Sequence, residues 1–183
     1  ESTCNTDANS LSGVPSWMLV LIKAVLQKTG SEYLTDVWPN MEVFFHRGIS
    51  FEPYRDQYKA LIPSDRMHYM ETYNASEGFF GLQDNPEEHS LLLMIDYSVF
   101  YEFIPINEVG EEHLTVLPLE AVEVGKNYAM VITTSGGLWR YQIGDTVRFT
   151  PLYPHKFVIS GRTKKFINAF GEELMVDNAD KAI

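Results

Sequence analysis

The apolar positions of this chain change their period near residue 79, and the change divides it into an α/β part and a strand-rich part. Residues 1–10, ESTCNTDANS, are polar and without periodicity and read as a loose segment. A helix follows, with Ser12 or Gly13 as its cap and Pro15 in the first turn, where the missing N–H costs nothing. Trp17, Met18, Leu21, Ile22, Val25 and Leu26 recur at helical spacing as one apolar face, and Lys28 and Gly30 mark the end. MEVFFHRG at 41–48 reads as a short buried strand stopped by glycine. EPYRDQYKALI at 52–62 reads as a second amphipathic helix carrying Tyr54, Tyr58, Leu61 and Ile62, and MHYMETY at 67–73 as the next strand. Helix, strand, helix, strand predicts an α/β unit with parallel strands.

From 79 onward FFGLQ, SLLLMID, VFYEFIPI, YAMVITT, LWRYQIGDTVRFT and HKFVISG are strand-like runs, broken by DNP, NEVGEE, EVGKN, SGG and PLYP. That spacing predicts a meander or distorted barrel. FGEELMVDN reads as a hinge-like segment before a helix beginning at Val176 and running to Ile183. The expected fold class is therefore mixed α/β, divided into 1–78, 79–170 and 171–183. No internal repeat or low-complexity tract interrupts this division.

Composition narrows the function classes. With 183 residues, 45% hydrophobic and 21% charged, the chain can build a substantial core. Its 13% aromatic content favours strands. The formal charge of −11 and the lack of a Lys/Arg stripe argue against nucleic-acid binding, the one basic cluster being Arg162, Lys164 and Lys165. A small polyanion such as ATP remains compatible. The single cysteine, Cys4, builds neither a disulfide framework nor a thiolate metal site. The longest apolar run, MLVLI at 18–22, is too short to span a bilayer, no signal-peptide pattern opens the chain, and the expected location is cytoplasmic.

Three short elements carry candidate chemistry. In YNASEG, 73–78, a strand running into a turn of small residues brings N–H groups and a hydroxyl to the carboxyl edge of a sheet, where open α/β sheets bind ligands. Ser76 there suits a phosphate oxygen and Glu77 suits Mg²⁺; as a bare hexapeptide it reads first as a surface turn in which Ser76 only caps. In YQIGD, 141–145, Gly-Asp between aromatic and β-branched residues is a two-residue hairpin signal. Its alternative reading is a carboxylate, Asp145, held to accept ribose hydroxyls. In GRTKKFINAFGEEL, 161–174, glycines at both ends permit a short hairpin, and Arg162 is a charge-assisted donor for ribose or phosphate. TTSGG at 133–137 reads as a hairpin turn lining a pocket, since no helix follows it. The five histidines show no metal-ligand spacing. Asp96 is either a buried acid or a strand end, and the paired acids Glu87–Glu88, Glu111–Glu112 and Glu172–Glu173 read as solvated faces.

In this order and at these intervals the three elements, with EFIPINE at 102–108, resemble the central part of an adenylate-forming enzyme, and most closely the GH3 acyl acid amido synthetases. The resemblance implies that Tyr73 lies against adenine, Ser76 near the α-phosphate, Glu77 on Mg²⁺, Asp145 on the ribose and Arg162 at the start of a hinge that ends in a mobile lid. Asn74 stands where the wider superfamily has glycine. Gln142 stands where it has arginine, Arg140 lying two residues earlier, so no arginine role is carried over. It also implies ATP and Mg²⁺ as cofactors, and a carboxylic acid and an amino acid as small-molecule partners. No Ser/Thr/Gly-rich phosphate loop and no lid lysine is found, so the expectation is a central fragment, inactive by itself. The alternatives are an acyl-CoA ligase of the same superfamily and a non-catalytic nucleotide-binding or interaction module.

Overall fold

The computed structural model describes residues 2–163, 166–169 and 172–175. The chain divides into two units, Glu1–Leu92 and Leu93–Ile183.

In the first unit, β1 (Ser10–Gly13), β2 (Val43–His46) and β3 (His68–Ala75) are parallel, and β4 (Gly78–Leu82) returns antiparallel to β3. The crossover between β1 and β2 holds α1 (Pro15–Thr29) and a single turn, α2 (Leu34–Val37). That between β2 and β3 holds α3 (Arg55–Leu61), which continues a 3₁₀ turn, Glu52–Tyr54. A short strand, β5 (Leu91–Leu93), follows. The parallel α/β unit expected from periodicity is thus present, with one more strand than expected. Ser10–Gly13 escaped notice because it carries a single apolar residue, Leu11, which packs half-buried on the core, while the strand's order comes from backbone pairing, Ser10 opposite Val43 and Gly13 opposite His46. Val14, not Ser12 or Gly13, is the N-cap of α1, with Pro15 in the first turn as expected. Gly13 serves packing instead: a Cβ there would lie 2.8 Å from Met18 Cγ. Gly30 closes the helix at φ 70, its N–H donating to Leu26 O at 2.9 Å.

The buried face of α1 is rotated from the one expected. Leu19, Ile22, Val25 and Leu26 pack inward, whereas Trp17 and Leu21 are 72% and 47% exposed. Every residue from Trp17 to Ile22 is apolar, so periodicity alone could not fix the phase.

That core also gathers Leu34, Trp38, Met41, Ile62 and Met67 around an aromatic cluster. Phe44 stacks on Tyr58 at 4.8 Å; Phe51 stacks on His46 at 4.5 Å and on Tyr69 at 4.8 Å. The Tyr58 hydroxyl, wholly buried, donates to Pro15 O at 2.8 Å and ties α3 to the start of α1. His46 Nδ1 and the Tyr69 hydroxyl are buried without a hydrogen-bond partner. Burial, with the Arg55 guanidinium adding to it, lowers His46 from 6.5 to about 4; burial raises Tyr69 to about 12 and raises the Glu71 carboxyl as well.

In the second unit the following pairings are antiparallel. β6 (Val99–Pro105) lies between β7 (Leu117–Pro118) and β8 (Asn127–Thr134), and β8, β9 (Tyr141–Leu152) and β10 (His155–Arg162) follow as a meander, so the order is β10-β9-β8-β6-β7. The expected meander is therefore present. One face buries Tyr101, Phe103, Tyr128, Phe149 and Phe157, with Phe103 edge-on to Phe149 at 5.2 Å. The other face packs Ile104, Ala129 and Val131 under Val109 and Val116. β11 (Phe166–Ala169) pairs antiparallel with β12 (Glu172–Met175), the short hairpin expected after Arg162. Glu172–Met175 of the hinge-like segment is thus a strand, and the helix expected from Val176 lies outside the described residues. Asp96 sits in an exposed turn, not a core.

Two expectations follow from this core. Phe44→Ala should cost about 3–5 kcal/mol of unfolding free energy, and Tyr58→Phe about 1 kcal/mol, both read from urea denaturation. Because His46 is depressed when folded, the unfolded chain takes its proton first, and stability should fall between about pH 6.5 and about pH 4. The loss should reach up to about 3 kcal/mol. Glu71, raised when folded, acts oppositely, gaining stability as pH falls. Unfolding midpoints from about pH 7 to about pH 5 should therefore flatten in His46→Phe, while Glu71→Gln should remove the opposing gain of stability on acidification.

Candidate functional site

Strand β9 runs unbroken through Gly144 and Asp145, so the hairpin that Gly-Asp suggested does not form. Its pairing with β8 jumps from Ala129–Thr146 to Val131–Gln142, leaving Ile143, Gly144 and Asp145 bulged opposite Met130. Gly144 takes φ 91, a left-handed conformation that a side chain would strain whatever the room around it. The turn signal in the sequence was real, but the β-branched and aromatic residues on both sides keep pairing, so the extra length is absorbed as a bulge.

The bulge is locked to the end of β10. Asp145 and Arg162 are register partners, and Arg162 Nε donates to Asp145 Oδ1 at 2.9 Å. The Gly144 carbonyl accepts from Thr163 N at 2.8 Å and from Thr163 Oγ1 at 3.2 Å. Beside them Ser160 Oγ donates to Thr146 Oγ1 at 3.1 Å. The Asp145 side chain is 11% exposed, so its charge is partly desolvated and needs a cationic partner; Arg162, at 42%, supplies it while still reaching solvent. The YQIGD and GRT elements, 17 residues apart in their key pair, are therefore one site. Thr146, Ser160 and Thr163, which line it with hydroxyls, carried no signal of their own in the sequence. Lys164 and Lys165 lie outside the described residues.

Tyr73, Ser76 and Glu77 belong to the first unit. Ala75 pairs with Gly78, so Ser76 and Glu77 are the two-residue loop of the β3–β4 hairpin, Ser76 exposed and Glu77 half-buried. A register shift between Tyr73 and Asn74 leaves Phe80 as the extra residue of β4. The Tyr73 ring is buried and packs against Phe80 at 5.2 Å. The hydroxyl and the carboxylate thus sit at the carboxyl end of β3, the edge at which open α/β sheets bind ligands.

A further feature lies at the far end of β6 and β8. TTSGG forms the expected turn, Thr134 N–H donating to Leu138 O at 2.9 Å and Gly137 taking φ 102. The turn borders an open groove of about 490 Å³ whose walls include Val99, Phe100, Thr133, Ser135 and Trp139. Next to it Arg140 Nε donates to Glu102 Oε2 at 3.0 Å, and Arg140 N–H to Thr133 Oγ1 at 3.0 Å.

Two family descriptions match this sequence: the GH3 family N-terminal domain over residues 1–67 and the GH3 family central domain over residues 92–162. Indole-3-acetic acid-amido synthetase GH3.4 of Arabidopsis thaliana is 33% identical over 141 residues, covering 71% of this chain and 23% of that protein. Indole-3-acetic acid-amido synthetase GH3.15 of the same plant is 27% identical over 203 residues, covering 97% of this chain and 33% of its own length. The chain thus spans about a quarter to a third of these relatives. Among solved structures, the AtGH3.15 acyl acid amido synthetase in complex with 2,4-DB superposes with a TM-score of 0.60 at 21% identity, over 86% of this chain and 28% of that one. A 2-hydroxyisobutyryl-CoA ligase with 2-HIB-AMP and CoA superposes with a TM-score of 0.64 at 16% identity, over 95% and 36%. At these identities the structures establish a shared fold, that of adenylate-forming enzymes, while the two domain matches, covering well over half the sequence, establish descent: the chain belongs to the GH3 family.

Proposed function

We propose that this chain carries the nucleotide-handling part of an ATP-dependent acyl acid amido synthetase, which adenylates a carboxylic acid and passes its acyl group to the amine of an amino acid. The observation that carries the reading is the Asp145–Arg162 pair on the Gly144 bulge, set in a chain of this family. A carboxylate offers about four lone-pair positions, enough to hold Arg162 and two ribose hydroxyls together. Arg162 keeps Asp145 ionised and oriented, and Thr163 fixes the bulge from behind. In the other unit Tyr73 forms the wall for adenine, Ser76 donates to a phosphate oxygen and Glu77 holds Mg²⁺.

The donor set suits that ion. Mg²⁺ is commonly held by one or two carboxylates together with substrate phosphates. Among the described residues no group of three or more His, Cys, Asp or Glu is placed to bind a metal by itself. When bound, Mg²⁺ neutralises phosphate charge; the residues named here bind and orient.

In the first half-reaction a carboxylate oxygen of the acid attacks the α-phosphorus and the bond to pyrophosphate breaks. In the second the amine nitrogen attacks the acyl carbon, the bond to AMP breaks, and the nitrogen's proton passes to solvent. Positioning and charge neutralisation supply the acceleration. An acyl-CoA ligase shares the fold, but the sequence relatives at 33% identity carry amido synthetase names, which favours an amine acceptor. Asp145 and Glu77 together argue against a non-catalytic scaffold, which needs neither acid. We place the reaction in the cytoplasm, where ATP is abundant; no helix among the described residues is long and apolar enough to cross a membrane.

ATP–pyrophosphate exchange by the full-length protein, across a panel of carboxylic acids, tests the reading. Asp145→Ala should reduce acid-dependent exchange by at least about 100-fold, the worth of two hydrogen bonds to a charged acceptor, and near-normal exchange would remove the ribose role. Glu77→Gln should shift the Mg²⁺ titration of exchange to higher concentration, with activity recovered at saturation. An unchanged titration would leave Glu77 off the metal.

A further inference from the structure

Strand β10 carries an irregularity of its own beside the one in β9. Ile159 pairs with Val147 and Gly161 with Thr146, so Ser160 has no register partner and is the extra residue of a second bulge. Every pairing beyond it is displaced by one position. In a regular ladder of the same sequence Ser160 would face Thr146, Gly161 would face Asp145, and Arg162 would stand opposite Gly144. A slip of one residue carries a side chain to the other face of a sheet, so Arg162 would then leave the face that Asp145 occupies. The Asp145–Arg162 contact therefore belongs to the bulged register.

Side-chain hydroxyls hold that register on both sides of Arg162. Two residues before it, Ser160 Oγ donates to Thr146 Oγ1 at 3.1 Å and closes the bulge across the strand pair. Thr146 is buried, with Ala129 on one side and Gly161 on the other, so its hydroxyl is a fixed acceptor. Directly after Arg162, Thr163 donates twice to the Gly144 carbonyl, through N–H at 2.8 Å and through Oγ1 at 3.2 Å. Inside the bulge Gly161 takes φ 151, which L side chains rarely adopt. The contacts made by Ser160 and Thr163 are thus to the strand that carries Asp145, and they set where that carboxylate sits. Hydrogen bonds weaken steeply once their angle drifts, so a carboxylate that grips two ribose hydroxyls depends on such fixing.

We infer that Ser160, Thr146 and Thr163 are positioning residues for ribose recognition: they hold the shifted register of β10 that sets Arg162 on Asp145, and so determine how strongly the site tells a ribose from a sugar without hydroxyls. This rests on the reading of Asp145 as the ribose acceptor and adds the residues that make that acceptor selective.

Acid-dependent ATP–pyrophosphate exchange by the full-length protein, with ATP and with 2′,3′-dideoxy-ATP in parallel, tests the assignment. The unmodified protein should favour ATP in kcat/KM by at least about 100-fold, the worth of two hydrogen bonds to a charged acceptor. Thr163→Val, which removes the hydroxyl and keeps the N–H, and Ser160→Ala should each raise KM for ATP about three- to tenfold. In both variants kcat and the kcat/KM for the dideoxy nucleotide should stay close to those of the unmodified protein, so that the preference for ATP shrinks by the same factor. Thr163→Ser, which keeps a hydroxyl, should retain the unmodified KM. A smaller folded fraction would lower exchange with both nucleotides alike, so their ratio reads position and not stability. Ser160→Ala, at an exposed residue, carries the test should Thr163→Val fold poorly. An unchanged ratio in a folded variant, or Thr163→Ser behaving as Thr163→Val, would overturn the inference alone. Equal use of the two nucleotides by the unmodified protein would overturn the ribose reading of Asp145, and this inference with it.

Discussion

Strand β9 must pass three residues by a single partner on β8 while staying paired on both sides, and the second unit is organised around how it does so. Only a residue without a side chain takes the Gly144 conformation cheaply. The bulge turns Asp145 into a half-closed setting where a lone carboxylate would be costly. Arg162 meets that charge because β10 runs in register with β9 at this point. Backbone geometry, charge compensation and the candidate ribose contact are thus one arrangement, and none of the three can change without the others.

The first unit works by a different principle. Its parallel strands cannot be joined by tight turns, so each crossover must carry a helix back over the sheet, and the aromatic cluster is what those helices close upon. Phe51 sits between His46 and Tyr69, and Tyr58 reaches across to the first carbonyl of α1. Two buried polar atoms in this cluster, His46 Nδ1 and the Tyr69 hydroxyl, lack partners, which makes the cluster sensitive to pH where an all-hydrocarbon core would not be. At the carboxyl end of β3 the same sheet delivers Ser76 and Glu77 on a rigid hairpin, not a long loop.

Elements with strong period or strong chemistry were legible in the sequence. β2, α3, β3 and the β8–β10 meander announce themselves by apolar runs and breaks, and the YNASEG, IGD and GRT elements by their spacing. What escaped did so for physical reasons. β1 is a strand of SLSG with one core contact, Leu11, and its order comes from backbone bonds, which composition does not betray. The phase of α1 is ambiguous because residues 17–22 are all apolar, and tertiary packing chose Leu19 over Trp17 and Leu21. Gly-Asp reads as a hairpin by local preference, and only long-range pairing makes it a bulge. Thr146, Ser160 and Thr163 are too common a residue type to stand out before the fold brings their hydroxyls together.

The two-residue loop at Ser76–Glu77 has a consequence for how the chain tolerates changes of length. Because successive side chains of a strand point to opposite faces, one inserted residue there would either slip the β3–β4 register or invert every side chain on one arm. Tyr73 and Phe80, now packed together, would be parted, and the carboxylate at the tip would be re-aimed. Connections such as 83–90 and 106–116 set no strand register, and although side-chain hydrogen bonds of Gln83 and Glu108 hold them in place, their outer residues accept insertions at little entropic cost. Growth and shrinkage of the sequence are therefore channelled into those segments, and the hairpin that carries Ser76 and Glu77 is held to a fixed count of residues.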